Sequence, residues 1–476
     1  MTRLVEIPVW ALVLLVAFAV VTFASHFLFP SVRWFFRRRM ERVVAKLNEK
    51  LTRPIEPFKL ARRHDMIQRL IYDPEVAKAV EEHAREENIP QDVAFEAAHR
   101  YAREIVPRFS ATAYFGFAIK LAKLISRAFY RVRLGAFDQA GLDKVDPNAT
   151  VIFVINHRSN MDYVLVTWLA AERTSLSYAV GEWARRWPLR ALIRAMGAYF
   201  IRRKSRNALY RKVLARYVQM ATAGGVTQAI FPEGGLSLNG EVGPPKMGLL
   251  NYIVQGFDPE SGRDVIFIPV AINYDRVIED RVLVAADIGG KRKFRMRIRD
   301  VARHIARHVW QRLTGRFHRF GYASVSFGSP LSLVDFLKIR GTGNGDDPTK
   351  PLAREIMTRI RAVVPVLPVP LVSAILLQDD GLARADIARK FAGFVAEMEA
   401  SGAHIHMPRD DLDYAVEVGL RLLLLRKLVR EEGGRYHINA EDRPVLQFYA
   451  NSIAHLSGNI PAVSLAIDAV DESATT

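Results

Sequence analysis

Cysteine is absent from the 476-residue sequence. That absence excludes disulfides, thiolate metal sites and a cysteine nucleophile together. Acidic side chains are scarce relative to basic ones: 50 Asp and Glu against 68 Lys and Arg, a formal charge of +18. Such an excess attracts polyanions, whether nucleic acid, an anionic membrane face, or acidic substrates and carriers. No GxSxG elbow is present, so the usual serine nucleophile has no seat. His304 and His308 lack the glutamate of an HExxH pair, so no zinc site is expected. Internal repeats are missing too. What remains is half hydrophobic, enough for a large core and roughly two to four domains.

One apolar run is long. Residues 7–29, IPVWALVLLVAFAVVTFASHFLF, carry no formal charge. About 20 apolar residues cross a bilayer as a helix, whereas a cleaved signal has an apolar core of about 7–15. "TFAS" imitates a cleavage site, but the run exceeds that core. Arg33, Arg37, Arg38, Arg39 and Arg42 follow it, and Arg3 alone precedes it. The positive-inside rule therefore predicts an anchor at 1–30 with the bulk of the chain on the cytoplasmic side.

Residues 31–110 read as helical, with apolar residues at three- and four-residue steps and breaks at Asp73-Pro74 and Pro90. Short β-rich runs then alternate with helical stretches: 150–155, 227–231, 265–272 and 322–327. Alternation of this kind predicts an α/β domain over 111–360. The proline-rich stretch at 362–377 suggests a buried hairpin or a membrane-surface patch. Residues 380–458 run helix, helix, hairpin, helix, so 361–476 is expected to form a helical, winged-helix-like region.

Chemistry concentrates where the first β-rich run ends. "VIFVINHRSNMDYVLV" (151–166) sets His157 and Asp162 five residues apart. On one uninterrupted helix these would face different ways. With His157 in a turn and Ser159 capping a helix, Asp162 in the first turn reaches back to the imidazole. A carboxylate fixes the tautomer of such a ring and raises its basicity, which builds a general base for an alcohol. The plainer reading is a capping box with Asp in place of Glu. Three further segments weigh against it. "GAYFIRRK" ends in Arg202, Arg203 and Lys204, where a phosphate can be gripped. "AIFPEGGLS" runs a strand into Glu233, Gly234 and Gly235, whose backbone can approach an anion. "VIFIPVAINYDR" is an apolar strand broken by Pro269, as at an edge or a substrate-lining position.

The order HxxxxD, GAYFIRR, FPEGG, IPVAINY resembles the glycerolipid acyltransferase superfamily, and within it the bacterial and mitochondrial glycerol-3-phosphate 1-O-acyltransferases. "YASVSFGSPLSL" and "LQFYANSIAHL" extend the likeness beyond the shared blocks. The resemblance implies a mixed sheet flanked by helices and transfer of a fatty acyl group to glycerol 3-phosphate. It implies His157 as base and Asp162 as its orienting partner. Arg202 and Arg203 would bind the acceptor phosphate, Glu233, Gly234 and Gly235 would place the acceptor, and Pro269 would wall the pocket. No cofactor or metal is implied beyond an acyl-CoA or acyl-carrier-protein thioester as co-substrate. The expected setting is the cell inner membrane, with membrane lipids as neighbours.

One departure matters. Leu236 and Leu238 stand where the family's third block usually has arginines. Phosphate recognition then falls more on Arg202, Arg203 and Lys246, and lysophosphatidate becomes an alternative acceptor. Residues 291–320 carry many basic side chains around an apolar stripe, as in a helix lying on an anionic interface, docking an acidic carrier, or packing on the core. Basic residues cluster near apolar membrane signals, not on a recognition helix, so nucleic acid is not an expected partner. A non-catalytic scaffold would not need the His157/Asp162 pair.

Overall fold

The computed structural model describes residues 8–10, 12–17, 38–39, 41–171, 174–181, 189–202, 205, 207–289, 319–340, 347–458 and 460. The chain forms two compact units, 1–55 with 172–174, and 56–171 with 175–476. In the first unit, residues 12–17 and 41–48 are helical, and Trp10 and Leu14 are exposed. The expected span over 7–29 lies largely outside the described residues. No helix among the described residues is long and apolar enough to cross a membrane.

The second unit opens with helices Arg63–Ile71, Pro74–Glu86 and Gln91–Ile105. The two breaks read from sequence are helix starts. Asp73 accepts the Glu75 N–H at 3.0 Å, and Pro74 occupies the first helical position, where its missing N–H removes nothing. Val76, Ala79, Val80 and His83 form the buried stripe of that helix, at the three- and four-residue steps of one face.

An eight-stranded mixed sheet carries the rest. Its strands are β1 (Arg131–Phe137), β2 (Thr150–Ile155), β3 (Ser177–Val180), β4 (Tyr199–Phe200), β5 (Gln228–Ile230), β6 (Val265–Tyr274), β7 (Tyr322–Phe327) and β8 (Leu331–Ser332). The order is β1-β7-β6-β2-β5-β3-β4, with β8 also on β6. Strands β6, β2, β5, β3 and β4 are mutually parallel, and β7 and β8 run against β6. Every residue of β2 and β6 is buried, which is why both read as continuous apolar runs.

Pro269 departs from its expected place. It lies inside the sheet, paired with Val154 of β2, not at an edge. Its carbonyl accepts the Gly328 N–H at 2.8 Å, so its missing N–H faces that same side. There β6 passes from β8 pairing at Ile266 and Phe267 to β7 pairing from Val270. The proline fills the gap between two ladders, where no donor is required.

The proline-rich stretch is also different from expectation. Pro368–Gln378 is a helix, buried from Pro368 through Leu376. Pro368 and Pro370 sit in its first turn, where the N–H groups have no partner within the helix. Beyond it come β9 (Leu382–Ala383), helices Arg384–Ala400 and Leu412–Leu425, a hairpin of β10 (Val429–Glu432) and β11 (Arg435–Ile438), and helix Arg443–Ala450. Strand β11 pairs with both β10 and β9.

Two apolar clusters hold this unit together. One joins one face of the sheet to the C-terminal helices, and the other joins the opposite face to the N-terminal helices. The first spans residues on both sides of 360 and the second residues on both sides of 110. The C-terminal helix also presses on a loop of the α/β region: a Cβ at Gly240, where φ is +94°, would lie 1.9 Å from the Phe448 carbonyl oxygen. Only glycine fits there.

Candidate active site

Strands β2 and β5 are parallel neighbours, so the segments leaving their C-terminal ends emerge side by side. One carries His157, and the other is the Phe231–Gly235 turn. On the other flank of β2, β6 continues four residues past its last β2 pair, Ile155 with Val270, to Tyr274. Three of the four sequence blocks therefore converge at one end of the sheet.

Asp162 organises this convergence. Its Oδ2 lies 2.9 Å from His157 Nδ1 and accepts the N–H groups of Arg158 (2.8 Å) and Ser159 (3.0 Å). Its Oδ1 accepts the Tyr274 hydroxyl at 2.6 Å. The carboxylate is fully buried. Two of its four partners are backbone N–H groups that can only donate, and burial keeps the Tyr274 hydroxyl protonated, so the carboxylate acts as an acceptor and Nδ1 carries the imidazole proton. Nε2 is thereby left with its lone pair. Among the described residues that nitrogen makes no hydrogen bond, and it is not among the enclosed polar atoms without partners, so what little exposure the ring keeps reaches it. His157 is 2% exposed, with the Phe231 ring at 4.3 Å and the Tyr163 ring edge-on at 5.4 Å.

The capping prediction is one residue off. Asn160 precedes the helix Met161–Ala170, while Ser159 receives the Met161 N–H and donates to Glu279 at 2.7 Å. Glu279 also accepts from the Asn160 amide side chain. Burial pushes the Glu279 carboxyl above its usual range.

Glu233 joins the first and third blocks. It accepts the His157 N–H at 2.8 Å and the Gly243 N–H at 3.0 Å, and the Ser237 N–H returns to the His157 carbonyl at 2.8 Å. Glu233 was expected to place the acceptor; both its oxygens hold backbone. Burial raises its carboxyl to about 7, against the pull of those two N–H groups and of Arg158. Gly234 has φ +66° and gives its N–H to Phe231, so that N–H closes the turn. Gly235 follows in the same bend. Lys246 runs alongside, its Cδ 2.8 Å from where a Cβ on Gly234 would lie.

Arg202 is not brought to His157. It follows β4, three strands from β2, or about 14 Å at the usual interstrand spacing. Its guanidinium binds Glu104 with both arms, at 2.9 and 2.6 Å, and packs on Tyr101 and Tyr210. Arg203 and Lys204 lie outside the described residues, as does nearly all of the basic segment 291–320. Leu236 and Leu238 pack against the sheet's apolar cluster, which suits leucine and not the arginines expected there.

Arg158, Tyr274 and Glu279 were not singled out from the sequence. Arg158 is 1% exposed; it donates to the Gly240 carbonyl and lies over the Phe448 ring, while its Nε and Nη2 have no partner. Tyr274 was visible only as the end of an unusually long apolar strand. No group of three or more metal-binding side chains occurs among the described residues. Two cavities found there are lined by other residues than His157.

Comparison with known proteins fits this geometry. Residues 137–273 match the acyltransferase family, and residues 311–474 match the glycerol-3-phosphate acyltransferase C-terminal region. Over these two segments the chain is similar to those families. Within them its relatives carry the name glycerol-3-phosphate acyltransferase. That of Xanthomonas campestris pv. campestris is 26% identical over 443 residues, 88% of this chain and 48% of that protein. That of Pseudomonas fluorescens is 26% identical over 417 residues, 83% of this chain and 49% of that one. The chain thus spans about half the length of these relatives. A solved 1-acyl-sn-glycerophosphate acyltransferase from Thermotoga maritima aligns with 52% of this chain and 76% of its own, at 18% identity and a TM-score of 0.30.

Two predictions arise from this network. Tyr274→Phe leaves Asp162 Oδ1 without its donor, so it should lower stability by about 1.5–3 kcal/mol and reduce kcat more than it changes KM. Urea unfolding and steady-state kinetics check this; unchanged values in both would refute the role. Glu233 has its folded pKa raised from 4.5 to about 7, so the folded state holds its proton more tightly than the unfolded chain does. Its contribution should be fully present below about 4.5 and fall as pH rises to about 7. The stability difference between wild type and Glu233→Gln should shift against wild type across that window and level off above it; a pH-independent difference would contradict this.

Proposed function

We propose that this chain moves a fatty acyl group from a thioester to the hydroxyl of glycerol 3-phosphate, giving lysophosphatidic acid. The observation that carries the reading is His157, held by Asp162 through Nδ1 with Nε2 bare, between the first and third acyltransferase blocks. Names of the relatives support the acceptor. In the reaction, Nε2 takes the proton of the acceptor hydroxyl as its oxygen attacks the thioester carbonyl. The tetrahedral adduct collapses, the C–S bond breaks, and the imidazolium returns its proton to the thiolate. Products are an ester and a free thiol, and the catalytic ring is regenerated. Asp162 stabilises the imidazolium while it exists. The thioester supplies the driving force, so the proposal requires no metal or nucleotide.

Acyl-CoA and an acyl carrier protein are both compatible donors, both being anionic partners for a chain of charge +18. We place the enzyme on the cytoplasmic face of the inner membrane, where a lipid product and anionic, water-soluble substrates meet. The strand-helix-helix-hairpin order from β9 to β11 supports reading the C-terminal region as winged-helix-like, here used for packing. Leu236 and Leu238 stand where arginines were expected to grip the acceptor phosphate, which keeps lysophosphatidate as the one other acceptor.

Purified protein offered glycerol 3-phosphate and lysophosphatidate with one labelled acyl thioester should label lysophosphatidic acid from the first. His157→Ala should cut turnover by about 10²–10⁴ without unfolding the protein, although loss of the donor to Asp162 should lower the melting temperature. Label appearing only in phosphatidic acid would replace the acceptor by lysophosphatidate. Undiminished turnover in the variant would end the mechanism.

A further inference from the structure

The entry to the second unit, PFKLARR at 57–63, puts three basic residues within five positions. Its short helix Pro57–Leu60 leads into the helix Arg63–Ile71. The segment packs near the starts of β3 and β5, since Ser177, Val226 and Tyr217 share a cavity with it. His157 leaves the opposite, C-terminal end of the same parallel strands. A six-residue strand spans about 20 Å, so this cavity is remote from the imidazole.

The cavity has a volume of about 280 Å³, just below the usual range of drug-sized ligand pockets, which starts near 300 Å³, so it suits a small ligand. Lys59, Arg62, Arg63 and Arg108 line it, with Phe58 and Phe109 among its apolar walls, and no acidic side chain does. The cations divide into two kinds. Lys59 reaches inward, donating to the Ser175 carbonyl at 2.7 Å and hydroxyl at 3.1 Å, with its ammonium 4.6 Å from the Phe109 ring centre. Burial pushes the Lys59 ammonium well below its usual pKa, a penalty that an incoming anion would relieve. Arg63 is held by the Val106 and Arg103 carbonyls. Arg62 and Arg108 are exposed, and no side-chain hydrogen bond or ion pair engages either. Two uncommitted guanidiniums at a mouth, above a buried ammonium and aromatic walls, match a small dianion with an apolar portion.

We propose that this cavity is an anion site, remote from His157, that takes a phosphate monoester bearing a short apolar group. Occupancy has a route to the Arg202–Glu104 pair. Gly197, with φ +84°, leaves room for Phe109 and Lys59 at 2.9 and 3.1 Å from its missing Cβ, and β4 and Arg202 follow directly. Arg108 and Ser110 donate backbone N–H groups to Arg194 and Ala195, just before Gly197. Glu104, the partner of Arg202, ends the helix whose continuation is the cavity wall at Val106–Phe109. An occupant braces both halves of the Arg202–Glu104 pair.

Phenylglyoxal modification of the full chain, read by peptide mass spectrometry, tests the site without reference to acyl transfer. Inorganic phosphate and hexanoyl lysophosphatidate are the probes, and decanoate is the comparison anion. Arg62 and Arg108 should be protected, equally in wild type and His157→Ala. Protection by both probes means the phosphate group suffices; protection by the lysophosphatidate alone means the apolar part is required, as for a lipid headgroup. In calorimetric titration with the protecting probe, Arg62→Ala/Arg108→Ala should lose affinity at one site by about tenfold per arginine. Both positions are exposed, so the variant should keep the wild-type melting temperature. Absence of protection, protection by decanoate as strong as by phosphate, or unchanged binding in the folded double variant would each overturn the proposal.

Discussion

A single buried carboxylate organises the candidate active site. Asp162 receives four donors: an imidazole nitrogen, two backbone N–H groups of its own turn, and the Tyr274 hydroxyl from another strand. An ionised carboxylate with this burial is tolerated only because its lone pairs are filled. The same saturation sets the imidazole tautomer. If one donor were lost, the remaining ones would have to hold a charge that no water reaches. The turn is thus fixed by the physics of its charge, and the base is fixed by the turn.

Around this centre the acid groups are shared out among backbone and side-chain donors. Glu233 ties the His157 turn to the β5 turn, and Glu279 holds Ser159 and Asn160 from outside. Arg158 lies buried beside Glu233 and Asp162 and stacks on Phe448 of the C-terminal helix. Its guanidinium links the site electrostatically to a part of the chain nearly three hundred positions away in sequence. Gly240 lets that helix approach closely enough for the link to exist. The C-terminal region is therefore structural support for the turn that carries the base.

Much of this was legible from the sequence, for identifiable reasons. Fully buried strands announce themselves as apolar runs, so β2, β5, β6 and β7 were foreseen, as was the His157–Asp162 pair at the end of one. Short strands such as β3 and β4 have too few residues to show a period. The helix at Pro368–Gln378 was missed because its prolines lie in the one turn that accepts them. Pro269 was misplaced because the gap between β7 and β8 is a property of pairing, not of local sequence. Glu233 and Arg202 looked like ligand-binding residues, and the structure shows them holding backbone and Glu104 respectively. Long-range partners such as Tyr274 leave no local signature.

The account stands on the protonation of one ring, and nitrogen NMR of imidazole-labelled protein reads it directly. At about pH 8.5, where a free imidazole is neutral, the His157 resonances should report a proton on Nδ1 and a bare Nε2. A proton on Nε2, with Nδ1 unprotonated, would mean that Asp162 does not accept from the ring. The general base would then have to be sought elsewhere.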